Sequence, residues 1–297
     1  MYYSDMRKQI PVLHIEQFEA PTALDSFYAS NLAIHLERNA HMVHTPHKHD
    51  FYLCVLFVTG SGVHEIDFDT YPVKPGSVFF LHPGQTHAWR FDSEVHGYIF
   101  FHSKAFFEYH YTQAKLSDFP FYFSVKNPPV LHLDSKQLSI LIPLYKDLVA
   151  FYGEALPYRK RRLLALMELI YLQLSPWYNQ GTEAQMVGSP LYLDSIRRFE
   201  TLLETHFKLE KSASYYASAL GMTPKHLNRI VQAGLAKTTT QMIRERLVLE
   251  AKRNMVQTQE PLANIALDLG YADYAYFSKI FKSETGMGPK DFRKQYQ

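Results

Sequence analysis

Two stripes of side chains near the C-terminus have chemistry suited to the edges of base pairs. Between Thr223 and Leu235 the apolar positions Leu227, Ile230 and Val231 mark one side of a helix. Lys225, Asn228, Arg229 and Gln232 fall on the other side, at i, i+3, i+4 and i+7. Between Asp273 and Thr285 the inward set is Phe277, Ile280 and Phe281. The outward set there is Tyr274, Ala275, Ser278, Lys279 and Lys282, with Tyr276 flanking. Arginine, asparagine and glutamine carry paired hydrogen-bonding atoms that match purine edges in the major groove, and lysine adds charge for phosphates. Histidines form a second group with chemistry: 13 of 15 precede residue 133, among them His47, His49 and His87. Neutral imidazoles can hydrogen-bond a small molecule or ligate Zn, Ni, Cu or Fe.

The stripes must be positioned by something, and the sequence repeats around them. Ala217-x-x-Leu220-Gly221 followed by Leu227-x-x-Ile230-Val231 reappears about fifty residues later as Ala266-x-x-Leu269-Gly270 followed by Phe277-x-x-Ile280-Phe281. Each copy reads as a short helix, a glycine turn and a second helix of about three turns, which is a helix-turn-helix pattern. Thr223 before Pro224 and Asp273 before Tyr274 are cap residues for the second helices. Thr240 to Val256 reads as one connecting helix with Ile243, Leu247, Ala251 and Met255 along one side. A rigid connector would let one chain enter successive major-groove segments, about 34 Å apart.

These motifs, with Arg246-x4-Ala251, Ile265-Ala266-x-x-Leu269-Gly270-Tyr271, Phe277-x-x-Ile280-Phe281-Lys282 and Gly286-x-x-Pro289-x-x-Phe292-Arg293, cover roughly Leu191 to Tyr296. They resemble the AraC/XylS family of transcription regulators. The resemblance implies that Arg229 and Lys279 stand where that family places base- or phosphate-contacting side chains. Two departures are Ala236-Lys237-Thr238-Thr239 where the second copy has Gly286-Met287-Gly288-Pro289, and lysine at 279 in place of the more usual arginine. Lysine is a point charge without the planar fork of arginine, so guanine reading is weakened there.

Charge follows the same division. Residues 189–297 hold 16 Lys/Arg against 11 Asp/Glu, net +5, whereas 1–188 hold 15 against 18, net −3. Basic charge on the repeated half is what phosphate binding requires. With 297 residues there is material for two domains, and Cys54, the one cysteine, excludes an intrachain disulfide scaffold. The N-terminal stretch lacks a charged start with a long apolar run, so a cytoplasmic protein without membrane contact is expected.

From His35 to about His102 the chain reads as short strands: Phe51–Val58, Val63–Phe68, Val78–Leu81, Ala88–Phe91 and Tyr98–Phe101. Gly60-Ser61-Gly62, Pro75-Gly76 and Pro83-Gly84 punctuate them, a spacing that suggests a sandwich or barrel. With His47-x-His49 and His87, the order resembles a cupin, the small double-sheet barrel that serves as sensor in many AraC-type regulators. His47, His49 and His87 match three of the four metal positions of catalytic cupins. The glutamate expected about four residues past His49 is missing, with Leu53 and Cys54 there instead. The resemblance implies a regulatory barrel without metal or other cofactor, facing an organic effector. His47, His49, Tyr52, His64, His82, His87 and Trp89 are the candidates to line that pocket, with Phe91 beside them.

Ser135–Tyr152 and Tyr158–Leu174 read as two helices split by Gly153 and Pro157, with apolar stripes wide for a hairpin on one barrel. The surplus serves a dimer interface or burial against the barrel, and the pattern leaves both open. Arg159-Lys160-Arg161-Arg162 reads as a solvated first turn. The expected organisation is therefore a cupin-like all-β sensor over 1–133, a helical hairpin over 134–178, a linker over 179–189 and an all-α DNA-binding domain over 190–297. In the last, the first helix-turn-helix spans about 212–236, the connecting helix about 240–256 and the second motif about 262–285. The function expected is an effector-controlled transcription regulator with no catalytic residues. Its partners would be double-stranded DNA, a small-molecule effector, a second copy of the chain and RNA polymerase. A metal-dependent cupin enzyme with an accessory DNA-binding tail is the alternative, and a helical protein-interaction module a third reading.

Overall fold

The structure, a computed structural model, describes residues 10–18, 26–43, 45–108, 115–123, 127–154, 157–181 and 190–296. It divides into two units, Ile10–Gln185 and a second built on Met186–Gln297.

In the first unit the strands are β1 (Val12–Leu13), β2 (Phe27–Asn31), β3 (Lys48–His49), β4 (Tyr52–Thr59), β5 (Gly62–Ile66), β6 (Asp69–Val73), β7 (Ser77–Leu81), β8 (His87–Phe91), β9 (His96–His102) and β10 (Val130–His132). Short helices α1 (Leu32–Arg38), α2 (Ala40–Val43), α3 (Lys104–Glu108) and α4 (Pro120–Phe123) lie among them, followed by the long pair α5 (Ser135–Gly153) and α6 (Arg159–Gly181). A five-stranded sheet runs in the order β10-β7-β4-β9-β2, a three-stranded sheet in the order β6-β5-β8, and β1 pairs with β3. Every pairing in the two larger sheets is antiparallel, and β1 with β3 is parallel. The cupin-like unit is thus built on two antiparallel sheets, and an isolated bridge from His47 to His87 ties the segment entering β3 to β8.

The strand β4 explains how the unit is layered. It is buried on both faces from Leu53 to Phe57. Phe57 meets Phe79 and Phe91 on the side of the three-stranded sheet, at ring separations of 5.9 and 6.0 Å. Cys54, on the alternate face, contacts the Tyr145 hydroxyl of α5 at 3.0 Å. The large sheet is therefore a plate between the small sheet and the α5–α6 hairpin. A polar seam crosses the hairpin side. His102 donates through Nδ1 to the Ser103 carbonyl, so its Nε2 accepts from the Tyr171 hydroxyl at 2.8 Å. Tyr122 donates to the Leu53 carbonyl at 2.9 Å. Burial pushes the Cys54 thiol up to about 12, which makes it an inert core group.

Two expectations need correction. The stretch from His35 onward opens with helices α1 and α2, because Leu32 and His35 share one buried face. The second hairpin helix does not stop at Leu174, and 179–181 are helical where a linker was expected. Its apolar stripe continues through Leu174 to Tyr178, whose hydroxyl donates to the Pro128 carbonyl at 2.6 Å, and Pro176 is accommodated within the helix. The remainder of the expected linker, 182–189, lies outside the described residues.

The second unit is all helix: α7 (Pro190–His206), α8 (Ala213–Ala219), α9 (Pro224–Leu235), α10 (Thr239–Gln257), α11 (Leu262–Asp268), α12 (Tyr274–Thr285) and α13 (Pro289–Tyr296). α8–α9 and α11–α12 are the two helix-turn-helix motifs, and α10 joins them. Ile243, Leu247, Ala251 and Met255 of α10 are all buried. Arg246 anchors α10 to α7: its Nε donates to both Glu204 oxygens at 2.8 and 2.9 Å, and its Nη1 donates to Glu250 at 3.0 Å. The guanidinium lies 3.9 Å over the Phe207 ring. Of the second copy's inward residues, Phe277 and Phe281 are fully buried and Ile280 is half-buried.

Candidate nucleic-acid interface and sensor site

The local chemistry of each reading helix is visible in its caps. Thr223 Oγ1 accepts from the His226 amide at 3.2 Å and Pro224 follows at the first helical position. Asp273 Oδ1 accepts from the Ala275 amide at 2.7 Å. The preceding turns rest on Gly221 at φ +70 and Gly270 at φ +74, in the left-handed region that side chains disfavour. At their far ends the copies differ, since Ala236 holds φ 52 where Gly286 holds φ 80.

On α9 the outward stripe is as expected: Lys225, Arg229 and Gln232 are exposed and Asn228 is half-buried. These residues, with Thr223, His226 and Ala233, line a shallow open groove. Asn228 has a structural duty, because its Oδ1 accepts from the Thr239 amide at 3.0 Å and so ties α9 to the start of α10. Arg229 Nη2 donates to His226 Nδ1 at 2.9 Å. Sequence reasoning passed over His226, although a histidine three residues before an arginine on one helix face is the signal that finds it. On α12, Tyr274, Ala275, Lys279 and Lys282 are exposed and Ser278 is half-buried.

In the sensor, the structure brings five of the candidates together. His47 and His87 rings lie 4.3 Å apart, His49 and His87 5.1 Å, and His64 and Trp89 5.2 Å. His64 Nε2 and His87 Nδ1 share a hydrogen bond of 2.9 Å. Phe91 joins them, stacked against Trp89 at 6.2 Å. Tyr52 and His82 do not. Strand alternation puts them on the hairpin side of the large sheet, where Tyr52 stacks on His102 at 6.0 Å and His82 packs edge-on to Tyr122 at 5.5 Å.

The cluster is buried, and burial favours its uncharged form. Burial, with a smaller push from His47, holds His49 down at about 3. Burial and the neighbouring rings hold His64 and His87 well below the ordinary imidazole range, and burial lowers His47. The tautomers of two rings follow from their partners. His47 and His49 donate Nδ1–H to the carbonyls of Thr45 and Phe51 at 2.9 and 2.8 Å, so their Nε2 atoms carry lone pairs. Among the described residues, His49 Nε2, His87 Nε2 and Trp89 Nε1 are buried without a protein hydrogen-bond partner. Also among them, no three His, Cys, Asp or Glu side chains are arranged to hold a metal ion.

Comparison with known proteins gives matches to each half. Residues 31–144 match an AraC-like ligand-binding domain and residues 216–295 a helix-turn-helix domain. The chain is 22% identical over 276 residues to the HTH-type transcriptional activator RhaS of Yersinia pestis, covering 92% of this chain and 98% of that one. It is 22% identical over 250 residues to the arabinose operon regulatory protein of Salmonella typhimurium, covering 82% and 83%. Among solved structures, ToxT from Vibrio cholerae aligns over 92% of this chain and all of its own (100%), at 13% identity and a TM-score of 0.43.

Proposed function

The chain belongs to the AraC/XylS family of transcription regulators, and from that premise we propose that it reads duplex DNA through α9 and α12 as a cytoplasmic, non-catalytic homodimer. An organic effector in the sensor unit controls that reading. The observation that carries the DNA reading is the pair of capped helices, each after a left-handed glycine turn, presenting polar stripes from a half of net charge +5. No helix among the described residues is long and apolar enough to cross a membrane.

Three features support an organic effector among His49, His87 and Trp89. The site holds fixed lone pairs, an indole donor and aromatic walls from Phe57, Phe79 and Phe91. Each buried polar atom left without a partner costs about 1–3 kcal/mol, which a compact molecule bearing both donors and acceptors would offset. Leu53, where a catalytic cupin needs its carboxylate, is a buried apolar residue. Purified protein is expected to carry far less than one transition metal per chain. In thermal-shift assays with small polyols, amines and aromatic alcohols, His49→Gln and His87→Gln should blunt the response while leaving effector-free DNA affinity unchanged. Near-stoichiometric metal that vanishes in both variants would replace this reading with the metal-dependent one.

The dimer reading is supported by Leu169 and Leu172, 44% and 56% exposed one turn apart on α6. Light scattering should give a dimer for the intact chain and a monomer for Leu169→Asp combined with Leu172→Asp. A wild-type monomer at high concentration would reject it.

A further inference from the structure

We infer that the two helix-turn-helix motifs divide the work unequally: the first carries the sequence discrimination, and the second supplies mainly sequence-independent phosphate affinity. This rests on the DNA reading above and goes beyond it, because nothing in a duplicated motif requires unequal copies.

The repeat gives the correspondence directly. Arg229 matches Lys279, Gln232 matches Lys282, and His226 matches Tyr276. On α9, Arg229 and Gln232 carry exposed planar groups that offer several directed hydrogen bonds, which is what distinguishes one base pair from another. Arg229 is also held in place. Its Nη2–H to His226 Nδ1, at 2.9 Å, confines a side chain that would otherwise sample many rotamers. A guanidinium fixed before binding loses less entropy when it meets a guanine edge, so more of the contact appears as discrimination. The helix itself is fixed by the Asn228–Thr239 bond at 3.0 Å. His226 is therefore a positioning residue for Arg229.

The second copy lacks this arrangement. Lys279 and Lys282 are exposed ammonium groups on flexible four-carbon stems. Ala275, opposite Lys225, has no polar side-chain atom. The flanks point the same way. After the first motif, Lys237 is held by Glu245 at 2.8 Å and so is partly neutralised. After the second, Lys290 and Lys294 of α13 are exposed and have no ion-pair partner among the described residues within 4 Å, though Glu284 and Asp291 are exposed nearby in the chain. Such ammonium groups follow a phosphate backbone whatever its sequence.

The test uses the full-length protein and duplexes selected from a library randomised over two helical turns. Base preference should concentrate in one half of the selected site, with the other half nearly flat. Arg229→Ala should erase preference at one position, about 10–100-fold, and leave affinity for random DNA within about twofold. His226→Ala should relax that same position, and His226→Gln, which keeps an acceptor, should restore it. Lys279→Ala combined with Lys282→Ala should weaken every sequence alike and reduce the salt slope by about 2, with the preference pattern intact. Comparable preference in both halves, or a position whose preference disappears with Lys279, would overturn the division. Failure of the wild-type chain to bind any duplex would overturn the DNA reading on which it rests, and the division with it.

Discussion

Lowering the pH from about 7 to about 5.5 should destabilise the sensor unit by about 3 kcal/mol or more, a large share of a domain's stability. The cause is a set of buried neutral imidazoles. Burial holds His35 and His49 at about 3 and His102 at about 4, and lowers His47, His64 and His87 as well. Each folded value lies below the unfolded one near 6.5, so the unfolded chain binds more protons than the folded chain in this window. The stability contributed is complete above about pH 6.5 and is lost as pH falls toward the folded values. His35, His49 and His102, whose folded values lie far below this window, each account for about 1 kcal/mol over it, and His47, His64 and His87 act in the same direction. Tryptophan fluorescence isolates the effect, because both tryptophans, Trp89 and Trp177, lie within Ile10–Gln185. The urea midpoint read this way should drop steeply below about pH 6.5. A midpoint constant over the same range would show that these rings are not buried as described.

The second large effect separates two glycines that look equivalent. Gly221 and Gly270 occupy matching turns at φ +70 and +74, so alanine at either adds backbone strain of about 1–2 kcal/mol. At Gly221 an added Cβ meets nothing within 4 Å, whereas at Gly270 it would stand 2.4 Å from the Lys208 carbonyl oxygen, a backbone atom that cannot rotate away. Gly270→Ala should therefore cost about 3–5 kcal/mol, against about 1–2 for Gly221→Ala. The third related position has the opposite sign. Ala236 already sits at φ 52 where the second copy uses glycine, so Ala236→Gly should stabilise the unit by up to about 1 kcal/mol. Helix melting by circular dichroism reads all of these. Equal losses for the two turn glycines would contradict the close approach of 208–211 to Gly270.

The DNA-binding half was legible because its signals are local. A glycine with positive φ, a cap residue and a 3.6-residue period each belong to a few neighbouring positions. The helix α7 went unmarked, although Pro190 opens it and Ile196, Phe199 and Leu203 make its buried face at helical spacing. In the sensor, apolar runs found the central strands. The strand β6 escaped because Asp69-Thr70-Tyr71-Pro72-Val73 contains a proline and little apolar pattern. The pocket was only half legible for a related reason. A strand covered on both faces, as β4 is, has no polar–apolar alternation to show which side is inward. Tyr52 and His82 were therefore grouped with residues that lie across the sheet from them. The His226–Arg229 pair was within reach of helical spacing, whereas the Asn228–Thr239 bond depends on how α10 begins.

The central claim, that this chain is a sequence-reading DNA-binding protein, is tested most directly by a salt titration. Binding of the full-length protein to duplex from its own upstream region should be measured beside a scrambled duplex, across a range of ionic strength. The logarithm of the affinity should fall linearly with the logarithm of salt, by about 0.9 for each phosphate engaged, on both duplexes. The upstream duplex should stay about a thousandfold or more tighter throughout, because base contacts add to a phosphate contribution that the two share. Affinities that do not respond to salt, or that are equal on the two duplexes at every salt concentration, would contradict the assignment.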